Sequence, residues 1–93
     1  MTKVMFVQYD DGTVYFDCLN HAGDESVCTI VSTLCNVAVQ ACLRCGHEIK
    51  LYEPGHVTIM VPKGSFPLNE TLSTVMDVMG AVQEQHPDYI KIY

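Results

Sequence analysis

The stretch that decides the fold runs from Ser26 to Gly46, SVCTIVSTLCNVAVQACLRCG. Its polar residues recur in steps of three and four, at Ser26, Thr29, Thr33, Asn36, Gln40 and Arg44. The residues between them are nearly all apolar, and this spacing predicts a helix that is buried over most of its circumference. Asp24 or Ser26 can cap the start of the helix, and Gly46 can supply the left-handed residue that ends it.

Four β-rich segments flank this helix as two predicted hairpins. KVMFVQY (residues 3–9) and TVYFDCL (residues 13–19) are separated by Asp-Asp-Gly, and Asp-Gly between apolar runs is a strong hairpin signal. HEIKLYE (residues 47–53) and HVTIMVP (residues 56–62) are joined by Pro-Gly, which predicts a second turn.

A second helix and a last strand complete the predicted order. After a loop, the apolar residues from Leu68 to the residue before Pro87 fall on one helical face. They include Leu72, Val75, Met76, Met79 and Val82. YIKIY (residues 89–93) predicts a short strand. The order β-β-α-β-β-α-β, without repeats or linkers, predicts a single α+β domain over residues 1–93, with two helices packed on one face of a mostly antiparallel sheet.

The composition narrows the class of partner. Five basic and eleven acidic residues give a formal net charge of −6, which disfavours nucleic acid and is compatible with a basic protein partner. The amino terminus lacks the pattern of a secretion signal, and no apolar run reaches the roughly 18 residues of a membrane span. We therefore expect a cytoplasmic chain that does not contact membranes, with its five cysteines as reduced thiols.

Four residues have the types and local spacing of zinc ligands. Cys18 and His21 form C-x₂-H, and Cys42 and Cys45 form C-x₂-C. The predicted helix would hold the two pairs roughly 27 Å apart. A small zinc-binding protein is therefore the less favoured interpretation. The remaining histidines end predicted elements and are expected at the surface: His47, His56 and His86.

His21 and Cys28 form the other candidate site. Cys28 falls in the first turn of the helix, near the edge of its apolar face, and Ser32 lies one turn further on. A helix amino terminus favours a thiolate, an imidazole can take the thiol proton, and free backbone N–H groups can stabilise an oxyanion. Asp24 opposes the thiolate with its own charge unless it is engaged in capping. The chemistry alone leaves two interpretations, a catalytic dyad or two unrelated residues beside a core.

The stretch HAGDESVCTIVS, residues 21–32, resembles the signature of the ribosomal-processing cysteine protease family, Prp. In that family a histidine followed by alanine precedes an aspartate, a Val-Cys pair and a Val-Ser pair where the first helix opens. The matching residues are His21, Ala22, Asp24, Val27, Cys28, Val31 and Ser32. The family's order of elements also fits the predicted order across nearly the whole chain.

The resemblance implies a function as well as a fold. Carried over, Cys28 is the nucleophile and His21 the general base, with Asp24 and Ser32 in supporting roles. Family members are dimeric and use no metal or cofactor. They trim an amino-terminal extension from a large-subunit ribosomal protein, and phage relatives are thought to process structural proteins such as capsid or scaffold proteins. A non-catalytic Prp-like module that binds a protein is the alternative.

Three features depart from the family pattern. Asn20 stands where the family has glycine, and Thr29 and Ile30 replace two alanines after the cysteine. Only six residues separate His21 from Cys28, about half the family's usual number. Because ordinary strand-to-helix links span two to six residues, we expect this link to be ordered without substrate rather than to act as a lid.

Overall fold

The first helix, α1, spans Glu25–Arg44 and buries one apolar face. The prediction that it is buried over most of its circumference was wrong, because Ile30, Val37 and Leu43 on its outer side are exposed. The computed structural model describes all residues from 1 to 93. The other elements in chain order are β1 (Thr2–Gln8), β2 (Val14–Leu19), β3 (Leu51–Glu53), β4 (His56–Val61), α2 (Phe66–Gln85) and β5 (Ile90–Ile92). The predicted order β-β-α-β-β-α-β is confirmed.

Asp24 and Gly46 set the two ends of α1. The side chain of Asp24 accepts a hydrogen bond from the N–H of Val27 at 3.1 Å, as an N-cap residue does. At the other end Gly46 adopts a φ of +79°, and the N–H of His47 returns to the carbonyl of Cys42. This left-handed exit is the helix stop predicted from the sequence.

One sheet of five strands lies in the order β3-β4-β2-β1-β5. β1 pairs antiparallel with β2, β2 with β4, and β3 with β4, and β5 alone runs parallel to its neighbour, β1. The sheet is therefore mostly antiparallel, as predicted. The predicted third strand was too long, because β3 is an edge strand that pairs only with residues 56–58 of β4. Residues 47–50 find no strand partner.

Both helices pack on one face of the sheet and leave the other face open. Phe16 and Ile59 of the sheet are fully buried, as are Leu68, Leu72 and Met79 of α2. Alternate strand residues point away from the helices, so that β2 alternates buried and half-buried positions. The apolar core thus lies between the sheet and the helices.

Helix α1 is more hydrophobic than expected from the absence of a long uninterrupted apolar run. It is long enough to cross a membrane, and its mean hydropathy reaches 1.7 over an 18-residue window. The polar residues counted as interruptions are mostly threonine, asparagine and glutamine, which lower the mean little. In the fold, Val31, Cys35, Ala38 and Val39 of this helix pack into the core. Such hydropathy is typical of a core helix with few charges.

Candidate active site

A cavity of about 420 Å³ lies where the first turns of α1 meet the β3–β4 turn and the link after β2. The link supplies one wall and the β3–β4 turn supplies the other. The lining residues are Thr2, Cys18, Asn20, His21, Cys28, Val31, Ser32, Cys35, Asn36, Tyr52, Glu53, Pro54, Gly55, His56 and Val57. Three of the four predicted site residues, His21, Cys28 and Ser32, therefore line one cavity.

Cys28 is the fourth residue of α1, and its half-buried thiol lies at the cavity wall. The backbone N–H of Ala22 donates to its sulfur at 3.2 Å. A backbone N–H aimed at sulfur stabilises negative charge there, and the amino end of the helix favours the same charge. The local geometry thus suits a thiolate.

Asp24 and Ser32 lie on either side of Cys28 at the start of α1, and their supporting roles stay a prediction. Asp24 accepts hydrogen bonds at two atoms, its side chain from Val27 and its carbonyl oxygen, at 2.8 Å, from the N–H of Cys28. Its carboxylate is therefore engaged in capping. Ser32 is exposed one turn beyond Cys28, where its hydroxyl can meet a molecule in the cavity.

His21 is exposed on the link, and the residue before it is held by two hydrogen bonds. The preceding residue, Asn20, has a φ of +73°, and its N–H donates to the carbonyl of Gly55 at 2.7 Å. Its own carbonyl accepts a hydrogen bond from the Thr2 hydroxyl at 3.0 Å. Asn20 thus adopts the left-handed conformation for which glycine is best suited, and asparagine is the next most tolerant residue.

The other four cysteines differ from Cys28 in what surrounds them. Cys18 and Cys35 are buried as a pair; the hydrogen bond between their thiols, together with burial, raises the pKa of Cys18, and the same hydrogen bond lowers the pKa of Cys35. Burial raises the pKa of Cys42, whose S–H donates to the carbonyl of Glu48 at 3.7 Å. Cys45 is exposed at the carboxyl end of α1, where the helix dipole disfavours a thiolate.

The four residues considered as zinc ligands are not brought together. Cys18 and His21 line the cavity, whereas Cys42 and Cys45 lie at the opposite end of α1. That end is roughly 25 Å away along the helix. No group of three or more His, Cys, Asp or Glu side chains has an arrangement that could hold a metal ion.

The prediction that His56 is a surface residue was wrong. The residue is among those that line the cavity, and its half-buried imidazole lies with its Nε2 atom 2.8 Å from an Asp17 carboxylate oxygen. The hydroxyl of Thr58 donates to the same oxygen at 2.6 Å. Asp17 and Thr58 face each other across β2 and β4, so the signal lay in the pairing of these strands, which the sequence does not specify.

Solved structures share this architecture, and two of them are of one protease. The essential ribosomal processing protease Prp from S. aureus, in complex with a covalently linked product peptide, matches with a TM-score of 0.83 at 22% identity, over 99% of this chain and 97% of that one. The complex of the same protease with a substrate peptide matches with a TM-score of 0.78 at 17% identity, over 100% of this chain and 98% of that one. SMU.848 from Streptococcus mutans matches with a TM-score of 0.75 at 17% identity, over 99% of this chain and 91% of that one.

These matches define the fold class of the chain, a compact α+β fold of five strands and two helices. More particularly, the chain has the fold of Prp, so the resemblance predicted from residues 21–32 is confirmed at the level of the fold. No protein-family model and no curated protein sequence matches the chain.

Proposed function

We propose that this protein is a cysteine endopeptidase in which Cys28 is the nucleophile and His21 the general base. The observation that carries the proposal is the single cavity lined by both side chains, with a backbone N–H donating to the sulfur of Cys28. The fold it shares with Prp supports the same assignment. A covalent link between protease and product peptide, as in that complex, is what nucleophilic catalysis forms.

The proposed reaction has two steps, and His21 accepts and returns a proton in each, from the Cys28 thiol in the first and from water in the second. His21 takes the thiol proton, and the thiolate attacks the scissile carbonyl carbon to form a tetrahedral intermediate. The C–N bond then breaks, His21 protonates the leaving amine, and a thioester remains on Cys28. Water, deprotonated by His21, attacks the thioester, releases the acid and restores the thiol. Asp24 supports these reaction steps by capping α1 and so fixing its first turn.

We further propose a substrate with a removable amino-terminal extension, either a large-subunit ribosomal protein or a phage capsid or scaffold protein. The description of Prp from S. aureus as a ribosomal processing protease supports the first, and the net charge of −6 suits a basic partner. We place the activity in the cytoplasm, where the five free cysteines stay reduced. No cofactor is assigned a role in this reaction.

A panel of substrates tests this proposal. The purified chain is incubated with extended and pre-trimmed forms of a ribosomal and a capsid candidate, and the new amino termini are mapped by mass spectrometry. We expect one cut in one extended form, none in its trimmed form, and none with Cys28→Ala. If the wild-type chain binds an extended form without cutting it, the non-catalytic binding module becomes the better interpretation.

We also propose a homodimer formed through the open face of the sheet. Met5 and Met60 lie exposed near its centre, at 42% and 39% of their full exposure. Lys3 and Lys91 lie toward the β5 edge, and Glu53 lies on the opposite edge strand, β3. A two-fold axis parallel to the strands would set each basic edge against the acidic edge of the second copy.

The dimer prediction can be checked by light scattering coupled to gel filtration. Met60→Asp would place a charge at one of the two exposed methionines of this face and should give a monomer, while the wild type should have twice the monomer mass. Val78→Asp, on the exposed side of α2, is the matched control and should stay dimeric. A wild-type monomer, or a Met60→Asp dimer, would refute this interface.

A further inference from the structure

The β3–β4 turn touches the link that carries His21. The pairing of β2 with β4 extends one residue beyond Leu19 and His56, through the hydrogen bond from the Asn20 N–H to the Gly55 carbonyl. This bond fixes the backbone next to His21 to the turn. The turn is therefore part of the support of the candidate base, although it is more than thirty residues away in sequence.

Gly55 lies directly against the imidazole of His21. A methyl group placed on Gly55 would come within 3.3 Å of the His21 Nε2 atom and 3.6 Å of its Cδ2 atom. The first distance is shorter than an ordinary van der Waals contact, so the imidazole would have to shift by a few tenths of an ångström. Gly55 also has a φ of +79°, a conformation that residues with a Cβ rarely adopt.

We propose that Gly55 is a positioning residue for His21. Its lack of a side chain lets the imidazole rest against the β3–β4 turn, in the place from which it serves Cys28. This inference rests on the proposed function, because it concerns the base of that dyad. It assigns to Gly55 a role that a requirement for a tight turn alone would not give.

Gly64 provides a matched control. It has a φ of +91°, and a methyl group placed on it would meet no atom within 4 Å. Gly55→Ala and Gly64→Ala therefore impose the same kind of backbone strain, but only the first reaches His21. Asparagine tolerates a left-handed backbone, so Gly55→Asn and Gly64→Asn form a second pair if the alanine variants fail to fold.

The test is the rate at which iodoacetamide alkylates Cys28, mapped by mass spectrometry from pH 5 to 9. We expect His21→Ala to slow alkylation at neutral pH about tenfold and to move the midpoint of its pH profile upward, since the thiol then ionises unaided. Gly55→Ala should shift rate and midpoint toward those of His21→Ala. Gly64→Ala should stay within about twofold of the wild type.

The outcomes separate the two proposals. If His21→Ala is slow but Gly55→Ala behaves like the wild type, or like Gly64→Ala, the positioning role is refuted and the dyad stands. If His21→Ala alkylates at the wild-type rate, the dyad is refuted and the positioning role with it. The same decisions apply to the asparagine pair.

Discussion

Cys28 is set apart from the other cysteines by the group that faces its sulfur. The sulfur of Cys28 accepts a hydrogen bond from the backbone N–H of Ala22. The S–H of Cys42, in contrast, donates a hydrogen bond to a backbone carbonyl. Cys18 and Cys35 are free thiols that share a hydrogen bond inside the core. An acceptor position at the amino end of a helix favours thiolate, and thiolate is the reactive form.

Cys28 should consequently be the first of the five cysteines to react with iodoacetamide. Cys45 is the only fully exposed competitor, and it sits at the helix end that disfavours a thiolate. Brief labelling at neutral pH followed by peptide mapping measures the order. If Cys42 or Cys45 is labelled before Cys28, the assignment of the nucleophile is wrong.

At the scale of elements, the start of α1 combines a structural and a chemical task in Asp24. Its side chain caps the helix on which Cys28 sits, and its charge lies near the end where a thiolate would form. The first effect stabilises the fold, and the second opposes ionisation of the thiol. The two effects can be separated because asparagine caps a helix about as well as aspartate.

Asp24→Ala should lower the free energy of unfolding by about 1 kcal/mol, measured by urea denaturation, because the cap is lost. Asp24→Asn should keep most of that stability and speed alkylation of Cys28, because only the charge is removed. Asp77→Ala, on the exposed side of α2, should change neither quantity appreciably. Equal stability of Asp24→Ala and the wild type would show that the cap contributes little.

The helices and strands could largely be predicted from the sequence, but the residues of β4 and its turn that line the cavity could not. Local patterns sufficed for α1, its Asp24 cap and its Gly46 stop, because capping and helical periodicity depend on neighbours in sequence. Gly55 and His56 reach the cavity only because β4 pairs with β2, a long-range choice that no local pattern encodes. That the short link is ordered without substrate stays a prediction.

For the whole molecule, a buried thiol makes the fold sensitive to alkali. Burial raises the pKa of Cys42 above its ordinary value of 9.0. In the buried pair of Cys18 and Cys35 the pKa of one thiol is raised and that of the other is lowered, so their effects on stability oppose each other and Cys42 alone gives a clear direction. The native state therefore keeps the thiol proton of Cys42 at a pH near 9, where the unfolded chain loses it. This contribution to stability is fully present below pH 9 and is lost as the pH rises further.

Cys42→Ala should therefore show a shallower loss of stability above pH 9 than the wild type, by up to one proton per molecule. Its stability at pH 7 should drop by about 1 kcal/mol, since a small buried group is removed. Urea denaturation at pH 7 to 10.5 measures both. Cys45→Ala, which removes an exposed thiol, should leave the slope unchanged, and an equal slope in all three proteins would contradict the argument.

The central claim is that Cys28 and His21 together cut a peptide bond, and the initial rate of cleavage of an extended large-subunit ribosomal protein tests it most directly. Cys28→Ala should give no product, and His21→Ala should be slower by about 10²–10⁴-fold, as expected for loss of a general base. His86→Ala, far along the chain at the end of α2, should match the wild type. Cleavage that persists in Cys28→Ala, or a His21→Ala rate equal to the wild-type rate, would contradict the dyad.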